Sequence, residues 1–143
     1  MKKLFSELRH VKVVVVGNEN VGKTTLVKQF SHNFGTINKI SSIVRGKGER
    51  KATDGIEMCS LEFSSGISNT ILHVWDFAGQ ELFYSTHQFF LSSKSVHLLV
   101  FNLNESLEKN KLSFWLHSIL TNAPGSPVIL VGTHLDRIPK GVR

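Results

Sequence analysis

Residues 17–24, Gly17-Asn18-Glu19-Asn20-Val21-Gly22-Lys23-Thr24, constrain this chain more than any other stretch. They follow the β-branched run Val11-Lys12-Val13-Val14-Val15-Val16 and precede Thr25-Leu26-Val27-Lys28-Gln29-Phe30, which reads as helical. A buried strand that ends in GxxxxGK[ST] and opens a helix is the setting a phosphate-binding loop requires. Backbone N–H groups of such a loop converge on phosphate oxygens, and the helix N-terminus adds positive partial charge. Lys23 is placed to reach the terminal phosphates, and Thr24 to put its hydroxyl on Mg²⁺. The working reading is a nucleotide-binding protein; the alternative is a glycine turn in an ordinary α/β protein.

The chain has 143 residues, enough for one compact domain, and a domain of that size buries roughly 68–70% of the surface its unfolded chain exposes. With 41% hydrophobic and 20% charged residues, neither disorder nor a fibrous repeat is indicated. A single cysteine, Cys59, has no partner for a disulfide or a metal cluster, which fits a reducing, cytoplasmic setting. Met1-Lys2-Lys3 is followed by Ser6, Glu7, Arg9 and His10 where a signal peptide needs an apolar core. No apolar run approaches the ~20 residues of a membrane span. The terminus Gly141-Val142-Arg143 has no cysteine for prenylation, so no direct membrane anchor is expected. The net charge of +6 invites a nucleic-acid reading. Its clearest cluster, Arg45, Lys47, Arg50 and Lys51, is broken by glycine and lacks interleaved aromatics, so a solvated loop is expected and nucleic acid is not.

Taken in order, residues 1–10 read as a lead-in and 11–143 as one domain. The run at 11–16 is apolar at nearly every position, as in a central parallel strand covered on both faces. Leu26, Val27 and Phe30 place an apolar stripe on the following helix, which ends near residues 31–35. Residues 35–53 show little periodicity and read as a long loop. Strands near 56–63 and 70–75, joined by Ser64 to Asn69, form a hairpin. A helix is expected from about 81 to 91, a buried strand at 96–101, and a helix carrying Leu107, Leu112, Trp115, Leu116, Ile119 and Leu120, ended by Ala123-Pro124-Gly125. A further strand, 127–131, leads into Gly132-Thr133-His134-Leu135-Asp136. The alternation predicts an α/β sheet, mostly parallel with one antiparallel hairpin strand.

With these elements in place, GNENVGKT at 17–24, TDGI at 53–56, WDFAGQE at 75–81, FYSTH at 83–87 and VGTHLD at 131–136 together resemble the Roc domain of Roco proteins, a Ras-like GTPase module. The resemblance covers about residues 11 to 136. It implies a P-loop NTPase fold of the Ras-like, doubly wound type. It also implies GTP or GDP as ligand, Mg²⁺ as cofactor, and Gly17, Asn18, Glu19, Asn20, Val21, Gly22, Lys23, Thr24 and Thr25 around the phosphates. Asp76 matches the family's metal-associated aspartate, opposite Thr24, although an aspartate in such a turn also serves as a helix N-cap. Gly79 permits close approach of its N–H to a γ-phosphate. Gln80 matches the water-orienting glutamine and is a candidate catalytic residue beside Lys23; its other reading is a surface glutamine. Thr53 fits the threonine that closes over Mg²⁺, or else simply leads into a strand. Arg45 and Arg50 lie in the long loop, and no arginine finger can be assigned.

Asp136 bears on the base. A carboxylate accepts two hydrogen bonds, and guanine presents two donors, its ring N–H and exocyclic amine, where adenine lacks the ring donor. Thr133 and His134 stand where the usual pattern has asparagine and lysine; Roc domains share this Thr-His form, and His134 can stack on the purine. The other histidines, His10, His32, His73, His87, His97 and His117, show no ligand spacing and read as packing or surface residues.

The sequence stops seven residues after Asp136, so the resemblance implies a C-terminally incomplete domain lacking a second base-contacting loop and a final helix. Val13 and Val15 face one side of the central strand and Val14 and Val16 the other. An exposed apolar patch and an open edge at 127–131 are therefore expected. The leading functional expectation is a slow GTPase switch within a larger Roco-type protein or a homodimer. Its rivals are a nucleotide-sensing or dimerisation module with negligible hydrolysis, and an ATPase.

Overall fold

A computed structural model describes residues 7–34, 36–40, 55–65, 68–79 and 90–139. Strand β1 (Glu7–Val16) leads through the phosphate loop into helix α1 (Lys23–Phe34). Strands β2 (Thr36–Ile40), β3 (Ile56–Ser65), β4 (Ser68–Phe77) and β5 (Ser95–Asn102) follow. Helix α2 (Leu112–Asn122), strand β6 (Val128–Thr133) and a 3₁₀ turn (Leu135–Arg137) complete the described part. The six strands form one sheet in the order β2-β3-β4-β1-β5-β6. β4, β1, β5 and β6 are mutually parallel, while β3 runs antiparallel to both β2 and β4. Only β3 is reversed, so the sheet is mostly parallel with one antiparallel strand, as in the Ras-like P-loop fold.

β1 pairs with β4 on one side and β5 on the other. Side chains of a strand alternate between faces, and the valines divide accordingly. Val13 and Val15 pack with Val74, Leu98 and Val100 under α1, which contributes Val27 with Leu26 and Phe30 at its margin. Val14 and Val16 pack with Phe77 and Leu99 against Trp115 and Ile119 of α2. Val14, Val15 and Val16 are wholly buried, and each such side chain stabilises the fold by roughly 1.5–3 kcal/mol. Lys12, the one charged residue in the run, extends its stem so that Nζ donates to the Phe90 carbonyl at 2.9 Å and sits 4.1 Å from the Trp75 ring.

Four expectations need correction. β1 begins at Glu7 rather than at 11, because main-chain pairing of 7–10 with Ser68 to Ile71 continues past the apolar run. Residues 36–40, read as loop, form β2: their ladder bonds to β3 hold a stretch too short and polar to announce itself. Ser65 pairs with Ser68, so the hairpin connection is far shorter than Ser64 to Asn69. The helix that holds Trp115 and Ile119 starts at Leu112, not Leu107, and Leu107 is 66% exposed. Residues 81–89 of the expected helix, and the basic cluster at 45–51, lie outside the described residues. At the far edge, β6 ends the sheet with Ile129 and Leu130 about half exposed, matching the apolar patch expected there.

His97 on β5 is fully buried beside the Val14 and Val128 backbone, and neither ring nitrogen has a hydrogen-bond partner among the described residues. Burial, and then the charge of Lys12, push its pKa below the ordinary 6.5. The folded state therefore binds this proton more weakly than the unfolded chain. The stability that neutral His97 permits is complete above pH 6.5 and is lost as the pH falls below that value toward the lowered folded pKa. Urea unfolding at pH 7.5 and pH 5 is expected to show a smaller acid loss in His97→Leu than in the parent protein. Equal losses would remove His97 from the acid response.

Candidate functional site

The phosphate loop leaves β1 at Val16 and turns within Gly17 to Gly22 before α1 begins at Lys23. Gly17 has φ 141°, and a Cβ there would meet the Val100 carbonyl oxygen at 2.1 Å, so the close passage over β5 excludes any side chain. Gly79 has the matching constraint: its Cβ would lie 2.4 Å from the backbone of Asn18 and Glu19. The end of β4 thus presses main chain against main chain on the loop. The first helical bond, Leu26 N–H to Gly22 C=O at 2.9 Å, leaves the preceding N–H groups of the first turn without acceptors inside the helix.

Charged groups converge here. Lys23 is buried and donates from Nζ to the Asn18 carbonyl at 2.6 Å. Thr24 donates its hydroxyl to Asp76 Oδ2 at 2.6 Å, and Asp76 Oδ1 is buried with no partner among the described residues. Burial lowers the Lys23 pKa to about 8, against the raising influence of Asp76 and Glu19. Burial raises the Asp76 pKa to about 6, opposed by the Thr24 hydrogen bond and by Lys23. Each charge is under-compensated by the protein alone: an anion beside Lys23 and a cation beside Asp76 would restore what burial removes.

A cavity of about 260 Å³ opens over Lys23, lined among others by Asn20, Gly22, Thr24, Gly79 and His134. A second, of about 330 Å³, lies against Thr25, Gln29, Thr133, His134 and Asp136. Gly22, Thr25 and His134 line both, which makes one cleft running from the phosphate loop to the 133–136 loop. Thr133 joins the two ends, its Oγ1 lying 2.6 Å from the Val21 carbonyl and 2.9 Å from that of Phe101. His134 takes the left-handed conformation, φ 58°, with Nδ1 3.0 Å from the same hydroxyl. Asp136 is exposed at the start of the 3₁₀ turn.

The structure brings Glu19, Asn20, Gly22, Lys23, Thr24, Thr25, Gly79, His134, Thr133 and Asp136 to this cleft. Val21 points into the core, and only its carbonyl serves the junction. The Asn18 side chain turns away, accepting from Trp115 Nε1 at 3.0 Å and donating to the Lys109 carbonyl at 2.7 Å. Thr53 and Gln80 lie outside the described residues. Sequence reasoning missed Gln29, one turn beyond Thr25 on α1, whose helical spacing was the available signal. Asn104, which donates to the His134 carbonyl at 2.8 Å, carried no signal in sequence.

Magnesium is held by one or two carboxylates together with phosphates and water, not by an all-protein cage. Thr24 and the half-satisfied, buried Asp76 fit that requirement, and among the described residues no cluster of three or more His, Cys, Asp or Glu offers another metal site.

A glycine-bounded phosphate cradle at the centre of this sheet, with a carboxylate at the end of the adjoining strand, defines a Ras-like P-loop protein. Within that class the chain belongs to the Roc family: the model described as "Ras of Complex, Roc, domain of DAPkinase" matches residues 12–136. It is 38% identical over 144 residues to the probable serine/threonine-protein kinase pats1 of Dictyostelium discoideum, covering 90% of this chain and 4% of that protein. It is 34% identical to cyclic GMP-binding protein C of the same organism, covering 87% of this chain and 5% of the relative. Leucine-rich repeat serine/threonine-protein kinase 1 of Caenorhabditis elegans is 31% identical, with 90% and 5% covered. The chain therefore spans only 4–5% of the length of these large relatives.

Thr133→Val removes the hydroxyl at nearly constant shape and takes its one donor proton from the Val21 carbonyl. It is expected to lower the unfolding free energy by about 1–2 kcal/mol, while Thr133→Ser retains most of it. Urea titration checks this, and equal stability of the Val and Ser variants would show that the hydroxyl does not hold the junction.

Proposed function

We propose that this Roc domain binds guanine nucleotide and hydrolyses GTP slowly with Mg²⁺, acting as a molecular switch. The observation that carries the reading is the Thr133–Val21 hydrogen bond, which holds the loop bearing Asp136 against the phosphate loop so that one ligand spans both. Phosphates would lie over the N-terminus of α1, where buried Lys23 supplies the charge that its present partner, a neutral carbonyl, does not match. The Asp136 carboxylate would accept from the ring N–H and amine of guanine, and His134 would flank the purine. Thr24 and Asp76 would hold Mg²⁺, which neutralises charge between the terminal phosphates.

In this reading Gln80 orients the attacking water and Thr53 closes over the γ-phosphate; both roles come from the resemblance alone. With no arginine finger assigned, a rate lower by about 10³–10⁵-fold than that of an assisted GTPase is expected. The chain would act in the cytoplasm, consistent with its lone buried cysteine, and within a larger Roco-type protein or a homodimer. Neither nucleic acid nor a membrane is proposed as a partner; among the described residues no helix is long and apolar enough to cross a membrane. The half-exposed Ile129 and Leu130 on edge strand β6 favour a second reading, a nucleotide-sensing or dimerisation module with negligible hydrolysis.

Equilibrium titration of the purified chain with GDP, GTP and ADP in Mg²⁺ tests the reading. GDP and GTP should bind more than about 100-fold tighter than ADP, because the Asp136 carboxylate is badly paired by adenine, and Lys23→Ala should abolish binding. Equal affinity for ADP would turn the site into that of an ATPase. Single-turnover hydrolysis should slow at least about 10-fold in Gln80→Leu; an unchanged rate would favour the second reading.

A further inference from the structure

Residues 103–111, between β5 and α2, touch both ends of the cleft. Toward the base end, the Leu103 N–H donates to the Thr133 carbonyl at 3.2 Å and Asn104 Nδ2 to the His134 carbonyl at 2.8 Å. The Leu103 side chain fills the space beside Gly132, where a Cβ would meet it at 2.7 Å. Toward the phosphate end, the Lys109 carbonyl accepts from Asn18 Nδ2 at 2.7 Å. Trp115, in the first turn of α2, donates to Asn18 Oδ1 at 3.0 Å. The Asn18 amide is thus held from both its oxygen and its nitrogen, and the carbonyl of the same residue receives Lys23.

Between these two arms lies Asn110, 1% exposed. Its Oδ1 accepts from the Asn102 N–H at 2.8 Å. Its Nδ2 donates to the carbonyls of Asn102, Glu105 and Ser106 at 2.9, 3.1 and 3.0 Å. Asn102 Oδ1 in turn accepts from the Asn104 N–H at 3.0 Å, which carries the network to the residue that holds His134. The amide has one acceptor and two N–H donors, so its two hydrogens are shared among the three carbonyls and tie the turn together. Aspartate, of the same shape, would withdraw the side-chain donor from all three carbonyls, of which those of Asn102 and Ser106 keep the backbone N–H groups of Glu105 and Asn110. Buried networks satisfied in this way are rigid, and breaking one member is felt by the others.

We propose that Asn110 is a positioning residue that makes residues 103–111 a rigid strut between the phosphate loop and the 133–136 loop. The two ends of the cleft are thereby set as one unit rather than as independent subsites. For its consequence on affinity the strut rests on the guanine-nucleotide reading above; its mechanical content does not.

The test uses Asn104→Ala, which removes one of the two hydrogen bonds of the base arm, Trp115→Phe, which removes one of the two hydrogen bonds that hold the Asn18 amide and keeps the apolar packing, their double variant, and Asn110→Asp. Each single-arm variant is expected to weaken GDP binding by about 5–10-fold. The double variant should fall short of the product of the two by about 3-fold or more, since a strut loosened at one end transmits less from the other. Multiplicative losses would overturn the proposal. Amide hydrogen exchange of the nucleotide-free protein gives a second readout. Asn110→Asp should accelerate exchange at both 17–22 and 132–136, and acceleration confined to 102–106 would reduce Asn110 to a local staple. Asn104 is exposed, so Asn104→Ala decides the matter by the same exchange pattern where Asn110→Asp unfolds: faster exchange at 17–22 supports the strut, and none overturns it. A parent chain that binds no GDP would refute the nucleotide reading, while exchange would still decide the strut.

Discussion

Burial of β1 on both faces is the constraint from which the rest of the molecule follows. Val13 and Val15 need α1, and Val14 and Val16 need α2, so the strand must run through the middle of the sheet with a helix on either side. The residue after Val16 then emerges between β4 and β5, where main chain from both neighbours crowds the loop. Side chains of any size at 17 or 79 would force these backbones apart. The course of the loop is thus set by packing, which leaves the chain no other path between its neighbours.

The same burial that fixes the loop makes its charges uncomfortable. Lys23 and Asp76 are nearly sequestered from water, and each has its pKa moved toward the neutral form, to about 8 and about 6. Their mutual attraction offsets part of this penalty but not all of it, and one oxygen of Asp76 has no partner among the described residues. Structural ion pairs are normally completed by hydrogen bonds, since an unpaired buried charge is costly. A pair left incomplete at the mouth of a cleft is what a site for phosphate and a divalent cation requires, and the stability forgone there is of the kind recovered on binding.

Much of this was legible in the sequence, for reasons that differ by element. The run Val13 to Val16 can only be a strand covered on both faces, and Trp115 and Ile119 lie four apart on the face of α2 that meets it. β2 was not legible, because its five residues gain their structure from the ladder to β3 rather than from any apolar pattern. Leu107 was misplaced into the helix because its spacing mimics the apolar stripe; the Asn110 side chain takes the carbonyls of Glu105 and Ser106 and delays the helix to Leu112. Asn18 was legible as a loop residue but not as an anchor, since its partner Trp115 is 97 positions away. Local pattern encodes burial; a hydrogen bond between distant elements becomes visible only once the fold has placed them.

Thr133 shows why such long-range contacts matter to the cleft. It stands where the usual pattern has asparagine, and a threonine hydroxyl reaches less far than an asparagine amide. The 133–136 loop must therefore come close to the phosphate loop, and it does: a Cβ on Gly22 would be in ordinary contact with Thr133 at 3.6 Å. A hydroxyl also has only one proton to give. With that proton directed at Val21, it can accept from His134 Nδ1, in the tautomer that carries hydrogen there. That single bond would leave the left-handed His134 weakly held. The bond from Asn104 to the His134 carbonyl and the packing of Leu103 beside Gly132 supply what the shorter side chain does not. Threonine in place of asparagine thus moves part of the work of holding the 133–136 loop to the turn behind it.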